Sequence, residues 1–314
     1  MHPVIGLVVA LLVRTAAGDQ TPLGNEEFAI GFDLTPSYGT AAIVSSNGIG
    51  KPLAFVNGSG LYKKVMNQLS HSLFWPPRQY RTYPRPDPPN ATAVAILAEM
   101  LDALRSEVEA EIGGSVPSAA VTVPHLSQLY DTTLQAACDA IHLQCIQLFQ
   151  HEDFRESLTR HENALIAGHG LGLCQPYTVT NHNCSLTQRL PSERHYLIGY
   201  YADGVEAVLT SNVSSAYAVD SFAYADFSLG SSMRDKNPRE EFYWEEVRRL
   251  ISLPLVILHG DRSADQKFQQ VLHETLQQLF APGEQPEWIE SDFFTAAIGA
   301  AELAKRKPYW GLGP

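Results

Sequence analysis

Basic residues are scarce in this chain: 22 Lys and Arg stand against 34 Asp and Glu, a formal net charge of −12. With that balance and no local basic stripe, phosphate backbones are repelled, which excludes nucleic acid as a partner. Cysteine is scarce too, at 4 in 314 residues. That is too few to staple a scaffold of this size, and there is no paired CxxC spacing for a zinc ribbon. Past residue 13 no long apolar run occurs, so no membrane span is expected once the N-terminal segment is removed. G-x-S-x-G and H-E-x-x-H are also absent, and with them two common hydrolase signatures. What remains is a chain that is 45% hydrophobic and 10% aromatic. That composition excludes a disordered, collagenous or coiled-coil protein and gives core material for one large domain or two ordinary ones.

The segment Pro3 to Val13 is almost continuously apolar and is followed by the small residues Thr15, Ala16, Ala17 and Gly18. This is the length of a secretory h-region and too short for a span, so residues 1–18 are expected to be a signal peptide. Four glycosylation sequons, at Asn57, Asn90, Asn183 and Asn212, agree with a secreted or secretory-pathway glycoprotein. In that compartment Cys174 and Cys184 are placed to close a short loop, and Cys138 and Cys145 to pair across a helix-to-strand corner. Four buried free thiols are the alternative, since connectivity is not read from spacing.

Along the chain one layout occurs twice. FAIGFDL at 28–34, TAAIVSS at 40–46 and KPLAFV at 51–56 read as a three-stranded meander with turns at Pro36 and Asn47-Gly48. YLIGYYA at 196–202, VEAVLTS at 205–211 and AYAVDSFAY at 216–224 repeat it. A Pro-rich loop from Trp75 to Asn90 follows the first meander. Then come a helix at Ala91–Glu111, a strand at Ser118–Val123, a helix at Leu126–His142, a strand at Gln144–Gln150 and a helix at Glu156–Gly168. The second meander leads to a helix at Pro238–Ile251, a strand at Leu253–His259 and helices at Ala264–Leu279 and Phe293–Lys305. In the charge-dense Arg234–Arg249 stretch, Phe242 and Val247 are expected to face inward. Meander-then-α/β given twice argues two related α/β halves with mixed sheets and a cleft between them.

That layout resembles the actin-like (ribonuclease H-like) fold of actin, sugar kinases and heat-shock chaperones. The local strings are nearest to the DnaK-type chaperone ATPase domain. IGFDLTPSYG at 30–39 is similar to its first phosphate loop, and AAVTVPHLSQLYDTTLQAACDAIHLQ at 119–144 to its strand–Pro–helix segment. HENALIAGHGL at 161–171, YLIGYYADGVEAVLTS at 196–211, VILHGDRSADQKFQQVL at 256–272 and TAAIGAAELA at 295–304 resemble the following motifs in order. The resemblance implies a first lobe at 26–190 and a second at 191–308 with a shortened outer subdomain. It also implies ATP or ADP with Mg²⁺ as the family's ligand.

The residues that would carry the chemistry are changed. Asp33 stands at the family's metal-organising position, but the glycine that follows is Thr35 and the two threonines are Pro36 and Ser37. Pro36 has no N–H to offer a phosphate. In the second loop the resemblance sets Tyr200 and Ala207 at the two aspartates, Val205 at the hydroxyl donor and Asp203 at a glycine, with only Gly204 kept. The glutamate ahead of the next helix is His161, with Glu162 beside it, and the lysine falls near Pro77 or Arg78. The adenosine segment keeps Gly260 and offers Arg262 to stack on a purine. Any nucleotide site would rest on Asp33, Ser37, Gly204, Gly260 and Arg262, with Asp33 at the metal, and binding is expected to be weak or lost.

The expected function is therefore a pseudoenzyme, an actin-like module that binds a protein partner and has no catalytic residues. An active Mg-dependent ATPase using Asp33, Glu206 and Asp203 is the alternative. A third reading, a hydrolase, is invited by His125, His151, His161, His169, His182 and His195. Surface positions and supporting hydrogen bonds account for such histidines more often than ligation.

Overall fold

Apolar alternation between turns builds β1 (Phe28–Leu34), β2 (Tyr38–Ser45) and β3 (Gly50–Asn57) as an antiparallel meander. The chain continues through α1 (Gly60–Ser70), α2 (Ala91–Ile112), β4 (Ser118–Val123), α3 (Asp131–Ala140), β5 (Gln144–Ile146), β6 (Thr159–Arg160) and α4 (His161–Gly168). The second half contains β7 (Tyr196–Tyr201), β8 (Gly204–Ser214), β9 (Tyr217–Asp226), α5 (Ser231–Arg234), α6 (Glu240–Leu250), β10 (Val256–His259), α7 (Gln266–Gln277), β11 (Trp288–Glu290) and α8 (Thr295–Arg306). This computed structural model describes residues 28–70, 89–126, 128–146, 158–171, 173, 194–214, 217–234, 236, 239–251, 256–280 and 286–306.

The first sheet runs β3-β2-β1-β4-β5, with β6 beside the end of β4, and the second runs β9-β8-β7-β10-β11. In both, an antiparallel meander is extended by parallel strands, β1–β4–β5 in one and β7–β10–β11 in the other. The matching orders make the molecule a duplicated α/β fold with two mixed sheets, the actin-like class.

Among the described residues three cores hold it together. Helices α1, α2 and α3 cover the outer face of the first sheet, where Phe32, Leu97, Leu101 and Leu104 are fully buried. Between the sheets lie α4 and α8, whose Ala164, Leu165, Ala300 and Leu303 meet Ala120 of the first sheet and Leu197, Val208 and Ile257 of the second. Outside the second sheet, α6 and α7 pack Tyr243, Trp244, Phe268 and Leu272 on Tyr196, Ile198 and Tyr200. The small residues of α8 serve this central layer. A Cβ on Gly31 would drive into the Ala297 carbonyl, and one on Gly299 into the backbone of Ala164. Helix, strand and helix touch there through their main chains.

Several sequence expectations shift. The helix expected from Leu126 begins only at Asp131. The helix expected from Glu156 begins at His161, because Thr159 and Arg160 instead pair with Thr122 and Val123 as β6. Helices α1 and α5 and strand β11 were not anticipated. Phe242 faces outward at 53% exposure under the Arg239 guanidinium, 4.5 Å from the ring centre. The inward stripe of α6 is Tyr243, Trp244, Val247 and Leu250.

Cys138, in the last turn of α3, is disulfide-bonded to Cys145 in β5, with 6.0 Å between their Cα atoms. Cys174, Cys184 and Asn183 lie outside the described residues, as do Pro77, Arg78, His151, His182 and nearly all of the Pro-rich loop. Asn57 ends β3 and is exposed; Asn90 is exposed and caps α2, its Oδ1 accepting from the N–H groups of Thr92 and Ala93. Asn212 lies on β8 opposite Val219. Among the described residues no helix is long and apolar enough to cross a membrane.

Candidate functional site

The β1–β2 turn is closed on itself. Thr35 Oγ1 accepts hydrogen bonds from the N–H groups of Ser37 (3.2 Å) and Tyr38 (3.0 Å) and donates to the Tyr38 carbonyl (2.8 Å). The Thr35 N–H goes to the same carbonyl. Pro36 supplies no donor. The main-chain donors of this turn are therefore engaged within it.

Facing that turn is the β7–β8 turn, and Asp203 joins the two. Its Oδ2 accepts from Ser37 Oγ at 3.0 Å and pairs with Lys63 Nζ of α1 at 2.6 Å. Lys63 was invisible in the sequence because α1 carries no motif. Gly204 lies under the ring of Phe227. Gly260, at φ +99°, backs onto the main chain of Tyr200, where a Cβ would collide. Arg262 donates its N–H to the Tyr200 carbonyl, and its half-exposed side chain leans on Asp261. Of the residues expected to hold a nucleotide, Ser37 reaches the second loop's Asp203, Gly204 sits beside it in that loop, and Gly260 and Arg262 pack on the back of β7.

Strand alternation decides which face each side chain meets. Tyr200, Val205 and Ala207 join the outer core of the second sheet, while Tyr201 and Glu206 point between the sheets. The inward carboxylate of this loop is thus Glu206, one residue from the position the resemblance implied.

Glu206 and Asp33 meet at His161, the first residue of α4. His161 Nε2 lies 2.8 Å from Asp33 Oδ1 and 3.2 Å from the Leu34 carbonyl, and Nδ1 lies 3.0 Å from Glu206 Oε2. Both ring nitrogens face acceptors, so both carry protons and the ring is a cation. Thr122 Oγ1 donates to Asp33 at 2.6 Å, and the His125 N–H donates to Glu206 Oε1 at 2.8 Å. A second pair, His125 Nε2 to Glu162 at 3.0 Å, lies alongside. On the other side His259 is held through Nδ1 by the Tyr201 hydroxyl at 2.9 Å, its ring edge-on to His161 at 5.8 Å.

Burial opposes the charge on His161, but Asp33 and Glu206 outweigh it and raise its pKa well above the ordinary value. Burial likewise raises the Glu206 pKa, but His161 overcomes this and brings it down to about 2. Burial dominates at His259 and lowers it to about 4, so this ring is neutral at pH 7. Because the unfolded chain takes up that proton more readily, His259 makes the protein less stable as pH falls from its ordinary value of 6.5 toward about 4. In metal-free buffer the stability gap between the native protein and His259→Asn is expected to shrink over that window, by up to about 1.4 kcal/mol per pH unit. Urea denaturation at a series of pH values checks it; a constant gap would contradict a buried neutral ring.

A solved structure of a ROK hexokinase from Thermus thermophilus is similar over 88% of this chain and 97% of its own, at 12% identity and a TM-score of 0.43. No family model and no curated protein matches the chain. The fold assignment follows from the two matching strand orders.

A magnesium–nucleotide complex does not fit the residues present. Mg²⁺ asks for oxygen ligands and retained waters in an octahedron. Here both inward carboxylates are already paired to an imidazole cation, and the turn that would cradle phosphates has its donors engaged. Tyr38, Phe55 and Phe293 form an aromatic group with centroids 5.0 to 5.6 Å apart, Phe55 and Phe293 being 42% and 44% exposed.

Proposed function

We propose that this chain is a secretory-pathway, actin-fold binding module that does not turn over ATP. The observation that carries the reading is the β1–β2 turn, where Thr35 takes the N–H groups of Ser37 and Tyr38 and Pro36 has none. Catalysis of phosphoryl transfer needs such donors free and aimed at the developing charge. The Asp203 bridge to Ser37 and Lys63 supports the same reading by placing a carboxylate between the two loops. The string from Ala119 to Gln144 supports kinship with the heat-shock chaperone branch. A protein partner is the expected ligand, and the exposed rings of Phe55 and Phe293 give it an apolar surface.

The test is calorimetric titration of ATP and ADP, with and without Mg²⁺, alongside a phosphate-release assay. The full chain is made in a secreting eukaryotic host, where glycans at Asn57 and Asn90 are expected by mass spectrometry. No nucleotide heat at millimolar concentration and no phosphate release are expected. Micromolar Mg-dependent binding, with hydrolysis abolished by Asp33→Ala, would instead establish an ATPase that uses Asp33, Glu206 and Asp203.

A further inference from the structure

We propose that His161, Glu206 and His259 form a site for one transition-metal dication of the zinc class. One ring nitrogen of each histidine and one carboxylate oxygen of Glu206 lie within 4.8 Å of one another, and all three residues are buried. Sheet register builds the arrangement. His259 on β10 pairs with Gly199 on β7, and Gly199 pairs with Glu206 on β8. The imidazole and the carboxylate therefore flank, on one face, a residue with no side chain. A Cβ at Gly199 would sit 2.6 Å from His259 Cε1 and 3.0 Å from its Nε2, so glycine is what keeps this space open. His161 closes it from the α4 side.

Each of the three residues is anchored at the atom facing away from that space. Asp33 Oδ1 holds His161 Nε2 at 2.8 Å, the His125 N–H holds Glu206 Oε1 at 2.8 Å, and the Tyr201 hydroxyl holds His259 Nδ1 at 2.9 Å. Partners of this kind fix the tautomer and orientation of metal-binding imidazoles and carboxylates. The atoms left to face the ion are then His161 Nδ1 and Glu206 Oε2, which pair with each other at 3.0 Å, and His259 Nε2. Zinc holds nitrogen and oxygen ligands at about 2.0–2.2 Å, which sets tetrahedral ligands roughly 3.4 Å apart. The 3.0 Å between His161 Nδ1 and Glu206 Oε2 is close to that spacing. Two imidazoles and one carboxylate suit Zn²⁺ or Co²⁺ and not Mg²⁺ or Ca²⁺. On binding, the ion takes the place of the Nδ1 proton of His161, which leaves to solvent, while the Nε2 proton stays on Asp33. The fourth position is left to water.

The experiment uses the full chain, loaded with zinc and then dialysed against a weak chelator. Elemental analysis is expected to find one zinc per chain, and Co²⁺ in its place to give the strong visible bands of a four-coordinate site. Tyr201→Phe keeps the ring and removes only the anchor on His259; its zinc affinity is expected to fall about 10–100-fold. His259→Gln is expected to lose stoichiometric binding, with circular dichroism confirming a folded chain. Trace zinc in folded native protein, or full zinc content in folded His259→Gln, would overturn the proposal. The nucleotide titration is read separately: the absence of nucleotide heat leaves this site as proposed, whereas Mg-dependent hydrolysis through Glu206 would count against it.

Discussion

His161→Gln in chelator-treated protein is expected to lower the unfolding free energy by about 3–5 kcal/mol, the scale for removing one partner of a buried ion pair. The substitution takes away the cation that both Asp33 and Glu206 face, at 2% exposure for His161 and 0% for Glu206. Two carboxylates are then left close together in a dry interior, without the cation and with Thr122 Oγ1 and the His125 N–H as donors among the described residues. Domains of ordinary stability unfold with about 5–15 kcal/mol, so this is a large fraction of the total. Adding Glu206→Gln to His161→Gln is expected to recover part of the loss, because it removes one of the stranded charges. A double-mutant cycle by chemical denaturation measures that coupling, on the order of 0.5–3 kcal/mol. The pH dependence has a defined sign. The His161 contribution is complete below its ordinary value of 6.5 and is lost as pH rises through its raised pKa, so native and variant proteins should converge in alkali. A cost below about 1 kcal/mol, the scale of a solvent-exposed pair, would mean that water reaches the cluster.

Much of the fold could be read before any coordinates, because it is written in period and punctuation. The meanders announced themselves through short apolar runs broken at Pro36, Asn47-Gly48 and Asp203-Gly204, and both appear as antiparallel strands. In the structure Asn90 and Asp265 cap helices α2 and α7, each accepting two main-chain N–H groups, so the helix expected from Ala264 begins at Gln266. The misses have local causes. The helix expected from Glu156 failed because β6 competes for the same residues, a contact with β4 that no window along the chain reveals. The site was half legible. Asp33, Ser37, Asp203 and His161 were flagged by position in motifs, and Glu206 only as a candidate ligand. His259 and Lys63 were missed. No motif lies near Lys63, and His259, although inside the 256–272 string, has no ligand role there; they matter because β10 pairs with β7 in one register and α1 packs beside the second loop. Which inward face Glu206 shares with Tyr201 is a matter of one residue of strand phase, and a motif alignment with substituted residues cannot fix that phase.

Tyr200→Asp, which would set at this position the aspartate that the chaperone resemblance implies, is expected to unfold the protein and to confer no ATP hydrolysis. Tyr200 is fully buried, stacked on Phe268 at 4.2 Å between ring centres with 16° between planes. Its hydroxyl meets that of Tyr243 at 2.9 Å, and Tyr243 in turn donates to the Leu229 carbonyl at 2.6 Å. Losing a large aromatic side chain from such a core costs about 3–5 kcal/mol. A carboxylate placed among Phe268, Trp244 and Leu272 adds a desolvation cost of several kcal/mol, so the total is expected to exceed 4 kcal/mol. Tyr200→Phe separates the two parts: it keeps the stack and drops one hydroxyl, with an expected loss of only about 1 kcal/mol. Thermal unfolding of the three proteins ranks them. The reason the substitution confers no activity is geometric. Position 200 faces the outer core with Ile198 and Val205, and the strand would have to slip by one residue to bring it opposite His161. A folded Tyr200→Asp protein that gained Mg-dependent nucleotide binding would mean that β7 can adopt that second register. In the register observed, Tyr200 and Val205, the strand residues that flank the β7–β8 turn, belong to the hydrophobic core.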